Sequence, residues 1–333
     1  MLIFLFFTNA KIISNAIIDS IEFCVFSLIP SLFVFMILSN IIIAYKPVNI
    51  GFIKLFSPLT LFLGICKIYS SPIILGNLSG FITGPKLICD SFSSVDDKNG
   101  FSKAIILSSN AGVGFVLSFI GITLWNNIFF GIYLYFIQIF SSFLISKIVF
   151  HSYKPKERIS SNSQNRASIF SVLSKAVTSS TNSILLVCSY TVIFSAILSL
   201  VIHLLKINQY SLFGTLISSL LDISQGVKAS STLTNPYLSA FFTGFSVGFS
   251  GLCVIFQIFS ICDSFPLNKI KFILSKLLQG LLCGLLTLLF SCIFPIKSDL
   301  PVSLTFNSSI FSVVPITIML LNALNNIKNK FKC

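Results

Sequence analysis

The chain has 333 residues, 55% of them hydrophobic and only 9% charged, with a mean hydropathy of +0.96. That composition excludes an ordinary water-soluble domain and points to an all-α polytopic membrane protein. The net charge of +13 does not indicate nucleic acid, because the 22 basic residues sit mainly at the ends of apolar segments and in one loop, where they orient a chain in the bilayer.

Residues Met1 to Phe7 are apolar but too short to cross, and they lack the basic start and small-residue exit of a signal peptide. The first full span runs from Asn15 to Ala44, and Pro30 in its middle is expected to kink it. From Tyr45 to Tyr69, lysines, prolines and glycines punctuate an apolar stretch that reads as an interfacial helix. Ser70 to Phe92 carries Pro72, Gly76, Gly80, Gly84 and Pro85, too many breakers for one straight crossing. A re-entrant hairpin with its tip near Gly80 to Gly84 fits better, provided protein or water covers the irregular backbone.

Ala104 to Ile122 is a span interrupted at Ser109 to Gly114, and Ile128 to Val149 is a plain span with Gln138 inside it. His151 to Ala167 is a basic, soluble linker. The second half repeats this order. Thr181 to Leu205 spans, Leu212 to Ser231 is a second hairpin with its tip at Asp222 to Gly226, and Leu238 to Ile261 is a span broken by Gly244, Gly248 and Gly251. Leu277 to Phe294 spans, and Phe311 to Leu324 is a short extra span.

The chain therefore divides into a first repeat (residues 1–150), a basic cytoplasmic linker (151–175) and a second repeat (176–333). Three crossings per half would insert the second upside down, the plan of many secondary transporters. Placing the linker in the cytoplasm puts most loop lysines inside, as the positive-inside rule requires. Aligning Gly84 with Gly226, an offset of about 142 residues, also superposes Lys86 on Lys228. A competing register pairs the pentapeptide Ile-Cys-Asp-Ser-Phe at Ile88 with its copy at Ile261, but it leaves Lys269 and Lys271 outside. The charge rule favours the first.

Several stretches together resemble one family: Pro30 to Phe35, Gly80 to Lys86, Asn110 to Gly112, Leu221 to Gly226 and Gly248 to Gln257. They occur in the order seen in sporulation integral membrane proteins of the YlbJ type, within the nucleoside-recognition (Gate) domain group. The most specific piece is Gly248-Phe249-Ser250-Gly251-Leu252-Cys253-Val254-Ile255-Phe256-Gln257, similar to the family's Gly-Phe-Gly-Gly-Leu-Ser-Val-x-x-Gln. The first tip departs from the family's Gly-Tyr-Pro-Ser-Gly-Ala-Lys at Phe81, Ile82, Thr83 and Pro85. The resemblance implies a multi-pass protein of endospore formers, in the cytoplasmic or the mother-cell/forespore membrane, linked to movement of dipicolinate. It also implies a hairpin architecture like that of nucleoside transporters.

Ionisable residues inside a membrane are functional candidates by default. Asp222 reads either as a coupling site for a proton or cation or as a helix cap. Lys86 and Lys228 read either as paired seats for an anion or as side chains that snorkel to the interface. Gly84-Pro85 is a helix-start signature, and a lysine beside a helix amino end suits a bound anion. Asn110, Ser224, Gln225 and Gln257 are substrate contacts or helix-packing polar groups. Gly80, Thr83, Gly84, Gly112, Gly226, Gly248 and Gly251 complete the candidate substrate-binding set at the tips and breaks.

No metal-binding or nucleophile motif is present, so neither enzyme chemistry nor a cofactor is expected. The expected function is alternating-access transport of a small anion, dipicolinate above all. A non-transporting scaffold for spore assembly and a nucleoside or other small-solute carrier are the alternatives. Orientation has a direct check. Cys333 should face the cytoplasm, so an impermeant thiol reagent outside intact cells should leave it unlabelled; ready labelling would reverse the preferred register.

Overall fold

The structure, a computed structural model, describes residues 8–91, 98–151 and 169–293, and every regular element among them is helical. Most of the linker and the expected C-terminal span lie outside the described residues. Helix α1 (Ala10–Ala44) contains Pro30, and the turn just before it, Cys24–Leu28, is π-helical. Proline removes a donor and crowds the carbonyl four residues back, and the wider turn relieves that crowding. Helix α2 (Lys46–Leu63) stops at Gly64, whose φ of +64° lets Ile65 N–H reach back to the Thr60 carbonyl.

The first helical hairpin is α3 (Ser70–Ser79) and α4 (Thr83–Ser91), joined through Gly80 at φ +111°. Its arms touch backbone to backbone, since a Cβ on Gly76 would collide with the Cα of Gly84. The interrupted span is α5 (Lys98–Ser108), an irregular stretch over Ser109–Gly112, and α6 (Phe115–Leu124), which is π-helical. Helix α7 (Ile128–Val149) follows, with Asn127 accepting from Phe130 N–H at its start.

The second half opens with α8 (Ile169–Leu205), then a hairpin of α9 (Leu212–Leu221) and α10 (Ile223–Ser231). An interrupted span of α11 (Pro236–Phe249) and α12 (Gly251–Ile261) leads to α13 (Lys269–Ile293). The hairpins begin at Ser70 and Leu212 and the last long helices at Ile128 and Lys269, close to the offset of about 142 residues that superposes Gly84 on Gly226.

Among the described residues, five helices are long and apolar enough to cross a membrane: Ala10–Ala44, Ile128–Val149, Phe170–Leu205, Pro236–Ile261 and Lys269–Ile293. Helix α13 shows what solvent they are built for. Leu274, Leu277, Leu281, Leu285 and Leu289 face outward, while Ser275, Lys276, Gln279, Gly280, Gly284 and Thr287 are turned inward. This reverses the pattern of a water-soluble helix. The chain is an integral membrane protein.

Two expectations need correction. Gly244 and Gly248 do not interrupt the helix. They lie within α11 and form a seam with Gly280 and Gly284 of α13, where a Cβ on Gly248 would come 2.8 Å from the Gln279 carbonyl oxygen. Small residues four apart on facing helices let backbones approach closely in lipid. The break falls instead at Ser250 and Gly251, at φ +75° and +77°. The second tip is also narrower than expected, because only Asp222 leaves the helical conformation and Ser224, Gln225 and Gly226 begin α10.

Close packing makes the first hairpin sensitive to a single methyl. A Cβ on Gly84 would sit 2.5 Å from Ser108 Cβ, whereas one on Gly51 meets nothing within 4 Å. Gly84→Ala should destabilise by about 1–3 kcal/mol, seen as a lower melting temperature in detergent, while Gly51→Ala should hold or gain slightly. Equal behaviour of the two variants would contradict the described contact between hairpin and break.

Candidate functional site

Each hairpin turn rests on the broken helix of its own half. A Cβ on Gly112 would lie 3.0 Å from Gly80 N, and one on Gly251 would lie 3.0 Å from Asp222 Cα. Both turns and both interrupted spans then line one cavity of ≈ 40 Å³. Phe81 and Ile82 come from the first turn, Gly112 and Phe115 from the first interrupted span, Asp222, Ile223 and Ser224 from the second turn, and Val254 and Gln257 from α12. Leu28, Leu32 and Met36 of α1, with Val187 and Thr191 of α8, close the sides. A cavity of that size holds a few waters at most, so any organic solute must part the tips to enter.

Asp222 is 2% exposed and is the one charged residue among those lining the cavity. Its Oδ2 accepts from Gln225 N–H at 3.1 Å and from the Ser224 hydroxyl. It therefore caps α10 and faces the cavity together, so the two readings of this acid are not exclusive. The helix amino end supplies partial positive charge that stabilises a carboxylate there.

Of the sequence candidates, Gly112, Asp222, Ser224 and Gln257 reach the cavity, and Gly80 and Gly251 support its turns. Thr83 is buried beside the first turn, its hydroxyl without a partner among the described residues. Gly84, Gly226 and Gly248 are packing contacts, against Ser108, Ser219 and α13 respectively. Gln225 turns its side chain toward Gln209 and Ser195. Gln257 donates to Cys253 Sγ at 3.2 Å.

The two lysines do not share a seat. Lys86 Nζ donates to the Ser179 carbonyl at 2.7 Å and to Ser183 Oγ at 2.9 Å, tying the first hairpin to α8. Lys228 Nζ stands 4.2 Å from the ring centroid of Phe23 and 5.9 Å from that of Phe119, in cation–π range. Neither lines the cavity.

Asn110 belongs to a buried polar network around the first break. It donates to Asn77 Oδ1 at 2.7 Å and accepts from Gln279 Nε2 at 2.7 Å. Gln138 bonds both backbone groups of Ala111, accepting from its N–H at 3.1 Å and donating to its carbonyl at 2.8 Å. Lys276, fully buried on α13, donates to the Ser109 carbonyl and, at 3.1 Å, to Gln279 Oε1. Among the described residues no carboxylate lies within ion-pair distance of it. The sequence reading did not single out Asn77, Lys276 or Gln279. Their signal was spacing: Lys276 and Gln279 sit three apart with Gly280 and Cys283, all on the face opposite the leucines.

Gln138→Leu would strip both backbone groups of Ala111 of their partner. Each buried orphan costs about 1–3 kcal/mol, so this variant should melt well below Gln138→Asn or the parent in detergent. A melting temperature unchanged in the leucine variant would mean the break is satisfied another way.

No protein-family model, curated protein or solved structure matches the chain.

Proposed function

We propose that this chain is a secondary carrier working by alternating access between two inverted repeats, each with a re-entrant hairpin. The observation that carries the proposal is convergence: both hairpin turns and both interrupted spans border one buried cavity with a carboxylate in its wall. A scaffold has no need of a buried acid at the meeting point of four helix breaks, and binding near the midplane between repeats is what a carrier requires. The inverted arrangement is supported by the recurring order of elements. It is supported again where cytoplasmic ends, as the charge rule assigns them, meet: Cys89 and Cys262 are 3.6 Å apart between sulfurs, and Phe101 stacks on Phe265 at 5.7 Å.

The solute is a small organic anion, with dipicolinate the first choice on the motif resemblance, carried across a bacterial cytoplasmic or forespore membrane during sporulation. A carboxylate in the cavity wall would repel that anion. Asp222 therefore takes up a proton or cation first, and this neutralisation admits the anion, which couples the two fluxes. A nucleoside-like neutral solute is the second reading, favoured by the apolar walls and the hydrogen-bonding groups of Thr191, Ser224 and Gln257.

Vesicles containing the purified protein should accumulate labelled dipicolinate under an imposed proton or cation gradient. Asp222→Asn, which retains an oxygen to cap α10, should still let dipicolinate equilibrate but lose the response to that gradient. An unchanged gradient response would reduce Asp222 to its capping role. Absence of dipicolinate uptake by the parent, with uptake of a nucleoside instead, would move the assignment to the second reading.

A further inference from the structure

We propose that Lys276 is the seat for a carboxylate of the carried anion, lying just behind the Phe81 ring at the first break. The inference deepens the carrier reading above and rests on it. Lys276 has no solvent exposure and no carboxylate partner among the described residues. As an ammonium it has three N–H bonds, of which the Ser109 carbonyl and Gln279 Oε1 take two. The face of Phe81 is the next feature it meets, with Nζ 5.8 Å from the ring centroid. Phe81 lines the cavity and belongs to the turn of the first hairpin, so parting the tips to admit a solute moves the group that screens Lys276.

A strut for the broken helix would not need this charge. Two residues on from Ser109, Ala111 has its N–H and carbonyl both satisfied by the neutral amide of Gln138. The Ser109 carbonyl needs only one such donor. Burying an ammonium without a counter-ion is unfavourable. A charge kept at such a position is explained by an anion that arrives during the working cycle. The surroundings suit one, because the neutral acceptors and the ring hold Nζ in place without cancelling its charge. Lys86 and Lys228 are less suited, since their contacts lie away from the cavity.

The test is equilibrium binding of labelled dipicolinate to the purified full chain. Lys276→Met, which keeps the length and apolar stem but removes the charge, should weaken binding by roughly tenfold to a hundredfold. Lys276→Arg should keep most of the affinity, and Lys86→Gln and Lys228→Gln should bind within about threefold of the parent. The unmodified protein gives a second measurement that no folding defect can confuse: it should prefer dipicolinate to the neutral pyridine-2,6-dicarboxamide by at least roughly tenfold. Parent-like binding by Lys276→Met, or equal affinity of the parent for acid and amide, overturns the seat while leaving the carrier reading standing. So does a loss in Lys276→Arg as large as in Lys276→Met, because a strut would then explain both. If the parent binds neither compound, the anion reading and the seat fall together.

Discussion

Backbone amides buried where helices stop are the constraint on which this molecule depends. Lipid offers them no partner, so irregular backbone persists at membrane depth only where protein answers it. The chain does this differently at each interruption. At Ala111 a single glutamine side chain bonds both backbone groups. At Ser109 a lysine from α13 supplies the donor. At the second hairpin, the Asp222 carboxylate takes up the Gln225 N–H. The glycines and serines that fill the seams serve the same end, since only small residues let elements from both halves come near enough to provide those groups.

The charges follow from that arrangement. A buried acid, Asp222, stands at the second hairpin turn, and a buried base, Lys276, reaches the first break from the other half of the chain. They are not paired with each other, and each is held by neutral dipoles or a helix end. Separately, each would be an unfavourable charge in a low-dielectric interior. In a carrier they become complementary. A cation or proton at Asp222 and a carboxylate at Lys276 would each form a locally neutral pair, which removes the penalty that each buried charge carries alone.

Much of the architecture was legible because membrane helices announce themselves by length and by where their breakers fall. Residues 70–92 and 212–231 read as re-entrant hairpins and Ser109 to Gly114 as an interruption because glycine, proline and polar residues gather there; pairs of short helices and an irregular stretch are found at those places. Gly244 and Gly248 misled, since a glycine inside an apolar helix signals a break and a packing seam equally well, and only the facing Gly280 and Gly284 distinguish them. Among the site residues, Asp222 stood out as an acid in an apolar context. Lys276 did not, because it lies seven residues into α13, where a lysine normally reaches water by extending along the helix. Its burial depends on the first half folding over it, of which the small and polar face it shares with Gln279 and Gly280 gave a hint.

The division of contacts also bears on where such a carrier would open. Where each turn meets its own break, the contacts are backbone to backbone at Gly80 and Gly112 and at Asp222 and Gly251, and they tolerate little displacement. The second hairpin is further tied to α11 by hydroxyl bonds, Ser246 to Ser219 at 2.8 Å and Ser230 to Thr243 at 2.7 Å. Across the cavity Phe81 and Ile82 of the first turn present apolar side chains, and Ile223 of the second does so beside Asp222 and Ser224, whose side chains bond each other. Separating apolar surfaces forfeits area without orphaning a donor or acceptor. Each turn is thus held closely against its own break, while Lys86 separately anchors the first hairpin to α8 of the other half. Parting the turns uncovers Phe81, the residue standing between the cavity and the Lys276 ammonium.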